Sequence, residues 1–221
     1  MYSHSIALLT ALVMLVVQPA SAAEPPRIVV TGLLDLQKAQ HMSQQIRQAM
    51  AVRPDQTARP QVVFAACRGG TVGGYVELRS VIREYHLATH VVGFAGSACA
   101  NAFAAGTRRS AAPGSIVAFH AAGSEKQVGA SRIRSDQALQ DRLRSMLVAD
   151  LGGRMPEQLL DRIFVSASAE AGIVFRKGLS LLFWSSADRA YHCRDGSSIN
   201  LDSCEPIPIS SLTSIGVTTD D

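Results

Sequence analysis

The residues best suited to chemistry in this sequence are a serine and a histidine on neighbouring segments. Ser97 stands in the tetrapeptide Gly-Ser-Ala-Cys, where small side chains leave the backbone open to a ligand. The Ala-rich stretch 98–105 predicts a helix that begins directly after it. A serine at that position has two readings. It is either a helix N-cap, whose hydroxyl accepts a backbone hydrogen bond, or a nucleophile beside free backbone N–H groups that stabilise an oxyanion.

His120 is the natural partner of such a nucleophile. It follows the apolar run 116–119, which predicts a strand, so one predicted helix and one predicted strand separate it from Ser97. A serine hydroxyl needs a base within hydrogen-bond reach and a third group that orients that base. The sequence therefore predicts His120 as the general base. The alternative is a strand-end histidine that faces solvent or is satisfied in the core.

The segments that must position this pair alternate between strand and helix. The predicted elements are strand 27–30, helix 35–50, strand 61–66, helix 73–87, strand 91–94, helices 135–151 and 157–164, and strand 179–184. Short apolar strands alternating with amphipathic helices indicate an α/β layered fold of repeated β-α units, with both faces of the sheet covered.

These pieces occur in an order that resembles a known family. The order resembles that of the proteolytic subunit of the Clp protease (ClpP), and especially its secreted relatives without an ATPase, within the ClpP/crotonase superfamily. The resemblance covers about half of the chain from Ala23 onward. Its matching pieces are the Gly69-Gly70 turn, the helix-like 75–85, strand 91–94, Ser97-Ala98-Cys99, the connection from Ala105-Gly106 through Arg109 to Pro113-Gly114, and Phe119-His120.

The resemblance implies further site residues. It implies the backbone N–H groups of Gly70 and Ala98 as the oxyanion hole. The family's Ser-Pro-Gly-Gly turn is Cys-Arg-Gly-Gly here, so a rigid proline is missing and Arg68 brings a charge to the lip of the cleft.

The resemblance also implies the acid that orients His120. Asp161 ends a Glu-Gln-Leu-Leu-Asp segment that matches the family locally, although it follows His120 more closely than in the Clp subunit. The alternative is a solvated Asp on a helix surface beside Arg162. Asp136, Asp141 and Asp150 are further acidic candidates, and a Ser-His dyad or a water in place of the acid is another arrangement.

The helix 135–151 corresponds, by the same resemblance, to the long handle helix that packs between ClpP subunits. The resemblance therefore implies a homo-oligomer formed through this helix. The alternative is an ordinary helix laid on the sheet, since its apolar residues recur at helical spacing.

Composition limits the class of protein. A chain of 221 residues with 47% hydrophobic residues is long enough for one domain with a sizeable core. The formal net charge is only +3 and the arginines are scattered, so we expect no nucleic-acid partner. No cofactor is expected.

The first residues read as a targeting segment. The apolar run 6–17 is short for a membrane span and is followed by small residues ending at Ala22, although no Lys or Arg precedes it. We predict a signal peptide over 1–22, cleaved after Ala22, and a periplasmic or secreted protein, with an uncleaved anchor as the alternative. The ClpP-like hydrolase domain is then 23–204, and the Pro-, Ser- and Thr-rich 205–221 is a loosely ordered tail.

Four cysteines suit an oxidising compartment. Cys193 and Cys204 bracket a polar, turn-rich segment and are candidates for a short disulfide loop. Cys67 and Cys99, beside the Gly-Gly turn and beside Ser97, are candidates for a second disulfide. Connectivity is not fixed by sequence. A metal site is the weaker alternative because the sequence has no C-x-x-C pair.

The sequence and the resemblance together predict a secreted serine hydrolase, an ATP-independent peptidase that acts through an acyl-enzyme on peptides or unfolded segments. No G-x-x-x-x-G-K-[ST] motif occurs, so no ATPase partner is expected. The rivals are a catalytically inactive ClpP-like binding or scaffold protein in the periplasm, and an acyl-CoA enzyme of crotonase type.

Overall fold

A computed structural model describes residues 25–52, 59–128, 131–134, 137–164, 172–176, 179–184, 194–195, 198–199, 205–206 and 215–219. The strands are β1 (Arg27–Leu34), β2 (Gln61–Gly70), β3 (Ala88–Gly96), β4 (Arg109–Ala111), β5 (Ile116–His120), β6 (Gly123–Val128), β7 (Ser131–Arg134), β8 (Gly172–Arg176), β9 (Leu179–Trp184), β10 (Arg194–Asp195), β11 (Ser198–Ile199), β12 (Glu205–Pro206) and β13 (Val217–Thr219). The helices are α1 (Leu36–Val52), α2 (Val72–Glu84), α3 (Ala98–Ala104), α4 (Gln137–Leu151) and α5 (Glu157–Phe164).

A mostly parallel sheet lies at the centre. Its strands follow the order β1-β2-β3-β5-β8-β9-β12, while β4 pairs with β3 and β13 pairs with β4. The pairs among β1, β2, β3 and β5 are parallel, and so are those that join β3, β4 and β13. The pairs β5-β8, β8-β9 and β9-β12 are antiparallel. The chain is thus an α/β protein with a layered arrangement of sheet and helices.

The helices cover the sheet with apolar stripes. In α1 the buried residues are Ala39, Met42, Ser43 and Ile46, which recur at the spacing of one helix face. In β1 the side chains alternate, with Ile28, Val30 and Leu34 buried. All seven residues of α3 are buried, so this short helix runs through the core directly behind Ser97.

The prediction that both sheet faces are covered needs correction. Val29 and Leu33 of β1 are 50% and 65% exposed, and Val92 of β3 is 44% exposed. These residues alternate with the buried ones along their strands, so the face of β1 and β3 opposite the core is open to solvent at these positions.

The C-terminal stretch also differs from the prediction. The sequence predicts a loosely ordered tail over residues 205–221, whereas the described residues 215–219 belong to the fold: β13 pairs in parallel with β4, and Ile215 and Val217 are buried in the core. The sequence signal failed because a three-residue strand among Ser and Thr has almost no local pattern.

Three predicted features lie outside the described residues, namely the signal peptide over 1–22, the Cys193–Cys204 pair and the candidate acid Asp136. Among the residues that are described, no helix is both long and apolar enough to cross a bilayer.

The fold brings three strand ends together. β2, β3 and β5 are parallel neighbours, so their carboxyl ends meet at one edge of the sheet. That edge carries Gly70, Gly96 and His120, and the candidate site is built there.

Candidate active site

Ser97 occupies the sharp turn between β3 and α3. Its backbone has φ 53° and ψ −123°, a conformation that is rare and costly for a residue with a Cβ. It is half-buried, and its side chain makes no capping hydrogen bond to α3. Thr71, which begins α2, shows the ordinary alternative: its backbone is extended and its Oγ1 accepts from the N–H of Gly74 at 3.0 Å. Ser97 therefore does not act as an N-cap.

The backbone around Ser97 is fixed on both sides. Its N–H donates to the carbonyl of Ala118 on β5 at 2.8 Å, and its carbonyl accepts from the N–H of Asn101 at 3.0 Å. Before it, a Cβ on Gly96 would lie 2.7 Å from the ring of Phe94, so a side chain there would require that ring to move. The unusual backbone of Ser97 is thus held by the strands and the helix that it joins.

His120 ends the strand to which Ser97 is anchored. Gly96, which precedes Ser97, pairs with Ala118 in the β3-β5 ladder. His120 follows Ala118 by two residues, at the end of β5. The imidazole is half-buried, and its Nδ1 lies 2.7 Å from the carbonyl oxygen of Ala121. Because a carbonyl only accepts, Nδ1 carries the proton in that bond, and Nε2 is the basic nitrogen of the neutral ring.

The glycine turn at the end of β2 lies directly against Ser97. Gly69 has φ +118° and is buried, and a Cβ built on it would lie 2.8 Å from Ser97 Cβ and 3.4 Å from Ser97 Oγ. Gly70 is exposed, and a Cβ there would meet the carbonyl oxygen of Leu34 at 1.9 Å. Both positions therefore require glycine, because a side chain at Gly69 would collide with Ser97 and one at Gly70 would collide with the backbone of β1.

A disulfide joins this turn to the helix that follows Ser97. Cys67 and Cys99 are cross-linked with their Cα atoms 5.9 Å apart, which confirms the predicted candidate pair. Both residues are fully buried. The N–H of Gly69 donates to Cys99 Sγ at 3.2 Å, so the sulfur also contacts the backbone of the turn.

The described partner of Asp161 is Arg144. Its carboxylate accepts from Arg144 at 2.8 Å, and Arg144 also binds the carboxylate of Glu157. The Asp161 side chain is 53% exposed. Its assignment as the orienting acid stays a prediction, and the described contact of His120 Nδ1 is a backbone carbonyl.

Two of the other acidic candidates are also engaged, and the third, Asp136, lies outside the described residues. Asp150 has a fully buried side chain that binds Arg79 bidentately, at 2.7 and 2.8 Å. Asp141 accepts from Gln137 at 2.6 Å on the exposed side of α4. Tyr75 lies beside the Arg79–Asp150 pair, where burial raises its pKa and the charge of Asp150 adds to that rise. This cluster joins α2 to the end of α4.

The structure contains a serine–histidine contact that the sequence did not indicate. His90 Nδ1 and Ser110 Oγ lie 2.8 Å apart, and the two residues are paired in register on β3 and β4. Both stand within strands, without the strained turn and the adjacent glycines that surround Ser97. No local motif marks the pair, because the contact depends on strand register. It provides a natural comparison for Ser97.

The described residues include no group of three or more His, Cys, Asp and Glu that could hold a metal ion. No protein-family model matches the chain, and no curated protein matches it either. The functional interpretation therefore depends on the geometry of the residues above.

Proposed function

We propose that this protein is a secreted serine hydrolase of ClpP-like fold that cleaves peptide bonds through an acyl-enzyme. The observation that carries the proposal is the backbone of Ser97. A residue with φ 53° and no capping role, held at a strand-to-helix turn, has the features of a nucleophile elbow, which exposes a hydroxyl at the edge of a sheet. Strain of this kind costs about 1–3 kcal/mol and is concentrated at functional sites.

His120 supplies the base in this proposal. Ser97 Oγ attacks the substrate carbonyl carbon, and Nε2 of His120 takes the hydroxyl proton and later gives it to the leaving amine. The carbonyl of Ala121 holds the Nδ1 proton, and so it fixes the tautomer that this step needs. In this arrangement a backbone carbonyl performs the orienting role that an Asp performs in a triad.

Two backbone amides are suited to bind the oxyanion. Ala98 follows the nucleophile at the start of α3, where its N–H has no partner within the helix. At the glycine turn, Thr71 donates its N–H to Leu34 on β1. The amide that precedes it in the chain, the N–H of Gly70, is the second donor that the family resemblance implies. Removal of one such donor typically lowers kcat by about 10²–10³-fold.

The substrate class follows from the same proposal. Ser97 is half-buried at the edge of a sheet. Because energy-dependent unfolding is not expected for an exported protein, the substrate is a short peptide or an unfolded segment, and no ATPase partner is required. Cleavage after Ala22 and export remain part of this proposal, and so does a homo-oligomer formed through α4.

A second candidate function is an inactive ClpP-like scaffold that binds peptides without cleaving them. The observation that favours it is the ion pair of Asp161 with Arg144. Asp161 is the orienting acid that the resemblance implies, and in this structure its carboxylate binds an arginine. The Ala121 carbonyl is neutral, so it stabilises a protonated His120 less than a carboxylate does.

Hydrolysis assays separate the two functions. We would compare the chain from residue 23, purified oxidised, with its Ser97→Ala variant on an activated ester and on a library of fluorogenic peptides. The hydrolase proposal expects turnover that falls by at least about 10³-fold in Ser97→Ala. Equal rates in the two proteins would overturn it, and peptide binding without cleavage would favour the scaffold.

A further inference from the structure

We infer that the Cys67–Cys99 disulfide positions the oxyanion-binding turn against Ser97, so that hydrolysis requires the oxidised protein. The inference rests on the proposed function, which it extends to the redox state of the site. It assigns to the two cysteines a role in the geometry of catalysis in addition to their role in stability.

The disulfide connects the two backbone segments that form the site. Cys67 stands two residues before Gly69, and Cys99 stands two residues after Ser97. These segments are in contact, because the hypothetical Cβ of Gly69 would lie 2.8 Å from Ser97 Cβ. The covalent link therefore closes a small unit that contains the nucleophile and the glycine turn.

The turn itself adopts backbone conformations that a strand does not favour. Ala66 has φ 48° and Gly69 has φ 118°, so unusual dihedrals lie on both sides of Cys67 and Arg68. The β2-β3 register also shifts between Ala65 and Cys67, where the regular ladder is interrupted. Gly69 and Gly70 still pair with Leu33 and Leu34 of β1, but the described β2-β3 ladder does not extend beyond Cys67. On the side of Ser97, the cross-link to Cys99 is therefore the covalent constraint on this segment.

The sulfur of Cys99 acts on the turn directly as well. It accepts the N–H of Gly69 at 3.2 Å, and this contact fixes the orientation of the peptide that precedes Gly69. With that amide engaged by sulfur, the amide of Gly70 is the one that remains for the oxyanion. The disulfide thus helps to decide which glycine amide faces the substrate.

Reduction changes this geometry in a defined way. A dithiol supplies two electrons and two protons, the S–S bond breaks, two Cys thiols form, and the reductant is oxidised to its own disulfide. The two sulfurs then separate from bonding distance to van der Waals distance within a fully buried site. Displacements of about 1 Å in positioning groups lower rates by about 10²-fold.

The test compares wild type with a Cys67→Ala/Cys99→Ala variant. Near-UV circular dichroism and thermal melting report whether the variant is folded, and Cys67→Val/Cys99→Ala, which refills the lost volume, is the second variant if the first is unfolded. An Ile46→Ala variant serves as the control, because it destabilises the buried face of α1, away from the site. The readouts are the rate of labelling by a fluorophosphonate and the amide hydrogen exchange of Arg68, Gly69 and Ser97.

We expect the folded disulfide variant to react with the fluorophosphonate at least about 10-fold more slowly than wild type, and to exchange these amides faster. Ile46→Ala should keep the wild-type labelling rate when both are compared below their melting temperatures. A folded disulfide variant that labels within twofold of wild type would overturn the inference.

Failure of the proposed function gives a different result. If oxidised wild type itself does not react with the probe, the hydrolase proposal fails, and hydrogen exchange alone decides the positioning role. Unchanged exchange at Arg68, Gly69 and Ser97 in the folded variant would then overturn the inference, whereas faster exchange confined to these residues would support it.

Discussion

Ser97 donates its backbone N–H to the carbonyl of Ala118 at 2.8 Å, and this bond ties the serine turn to the strand that ends in His120. Both groups in this hydrogen bond belong to the backbone, so the bond does not depend on the rotamer of either side chain. It explains how a serine and a histidine on separate segments come to share one sheet edge. It also explains how the φ of 53° at Ser97 persists, because the turn is anchored at its first amide.

Gly69 should be intolerant of any side chain. In Gly69→Ala, the added Cβ would lie 2.8 Å from Ser97 Cβ at a φ of +118°, so both contact and backbone are strained. We expect a loss of about 1–3 kcal/mol in unfolding free energy and a loss of reactivity at Ser97. Urea denaturation measures the first and the rate of fluorophosphonate labelling measures the second.

Gly93→Ala is the matched control for this substitution. Gly93 also has a positive φ, +75°, but nothing lies within 4 Å of its hypothetical Cβ. This variant should lose stability and keep the wild-type labelling rate. If both variants lost labelling equally, the contact between Gly69 and Ser97 would have no special role.

Asp161→Asn distinguishes an orienting acid from a surface ion pair. The carboxylate binds Arg144 on the exposed side of α5, and such pairs contribute about 0–1 kcal/mol to stability. We expect hydrolysis and labelling rates within about twofold of wild type. A fall of about 10⁴-fold in kcat, the effect that loss of a triad Asp has elsewhere, would instead assign Asp161 to the catalytic unit.

Asp150→Asn should be far more damaging to stability. Its side chain is fully buried and binds Arg79 in a bidentate pair, so the substitution leaves the guanidinium without its counter-charge. We expect a loss of about 3–5 kcal/mol in the free energy of unfolding. Chemical denaturation of both Asn variants checks this, and a loss at Asp150 as small as that at Asp161 would contradict the described pairing.

Tyr75 should make the protein less stable in alkali. Burial raises its pKa in the folded state, and the charge of Asp150 adds to this, whereas the unfolded chain titrates near the ordinary value of about 10. Above that pH the unfolded state has lost a proton that the folded state keeps, so stability falls as pH rises. Tyr75→Phe removes this effect.

Denaturant unfolding at pH 8 and at pH 11 measures the difference. Wild type should lose about 1 kcal/mol more than Tyr75→Phe over that interval. The same alkaline loss in both proteins would show that Tyr75 ionises alike in the folded and unfolded chains.

Much of the fold could be predicted from the sequence because its local patterns are strong. Helical spacing in α1 and the Pro156 signal before α5 placed both helices within one or two residues of their observed bounds. The carboxyl end of β2 was predicted too short, since Gly69 and Gly70 extend the strand by pairing with Leu33 and Leu34 of β1. Glycines carry no strand propensity, so only the partner strand reveals this extension.

The candidate site was predictable in its residue types but not in its contacts. Motifs and the family resemblance predict Ser97 and His120 as site residues, and these roles stay predictions, while the structure shows the Cys67–Cys99 bond, one of the two candidate disulfides. The contact of Gly69 with Ser97, the Nδ1 bond to Ala121 and the Arg144 partner of Asp161 are long-range or backbone relationships that no local pattern encodes. The pairing of His90 with Ser110 has the same origin, since it depends on which strands become neighbours.

Fluorophosphonate labelling, with the modified peptide identified by mass spectrometry, tests the central claim most directly. We predict that oxidised wild type is labelled at Ser97, that Ser97→Ala abolishes the adduct, and that His120→Gln slows it by at least about 10²-fold. Ser110→Ala should react like wild type, although Ser110 Oγ lies within hydrogen-bond distance of His90. Absence of an adduct in folded, oxidised wild type, or an adduct that survives in Ser97→Ala, would contradict the account.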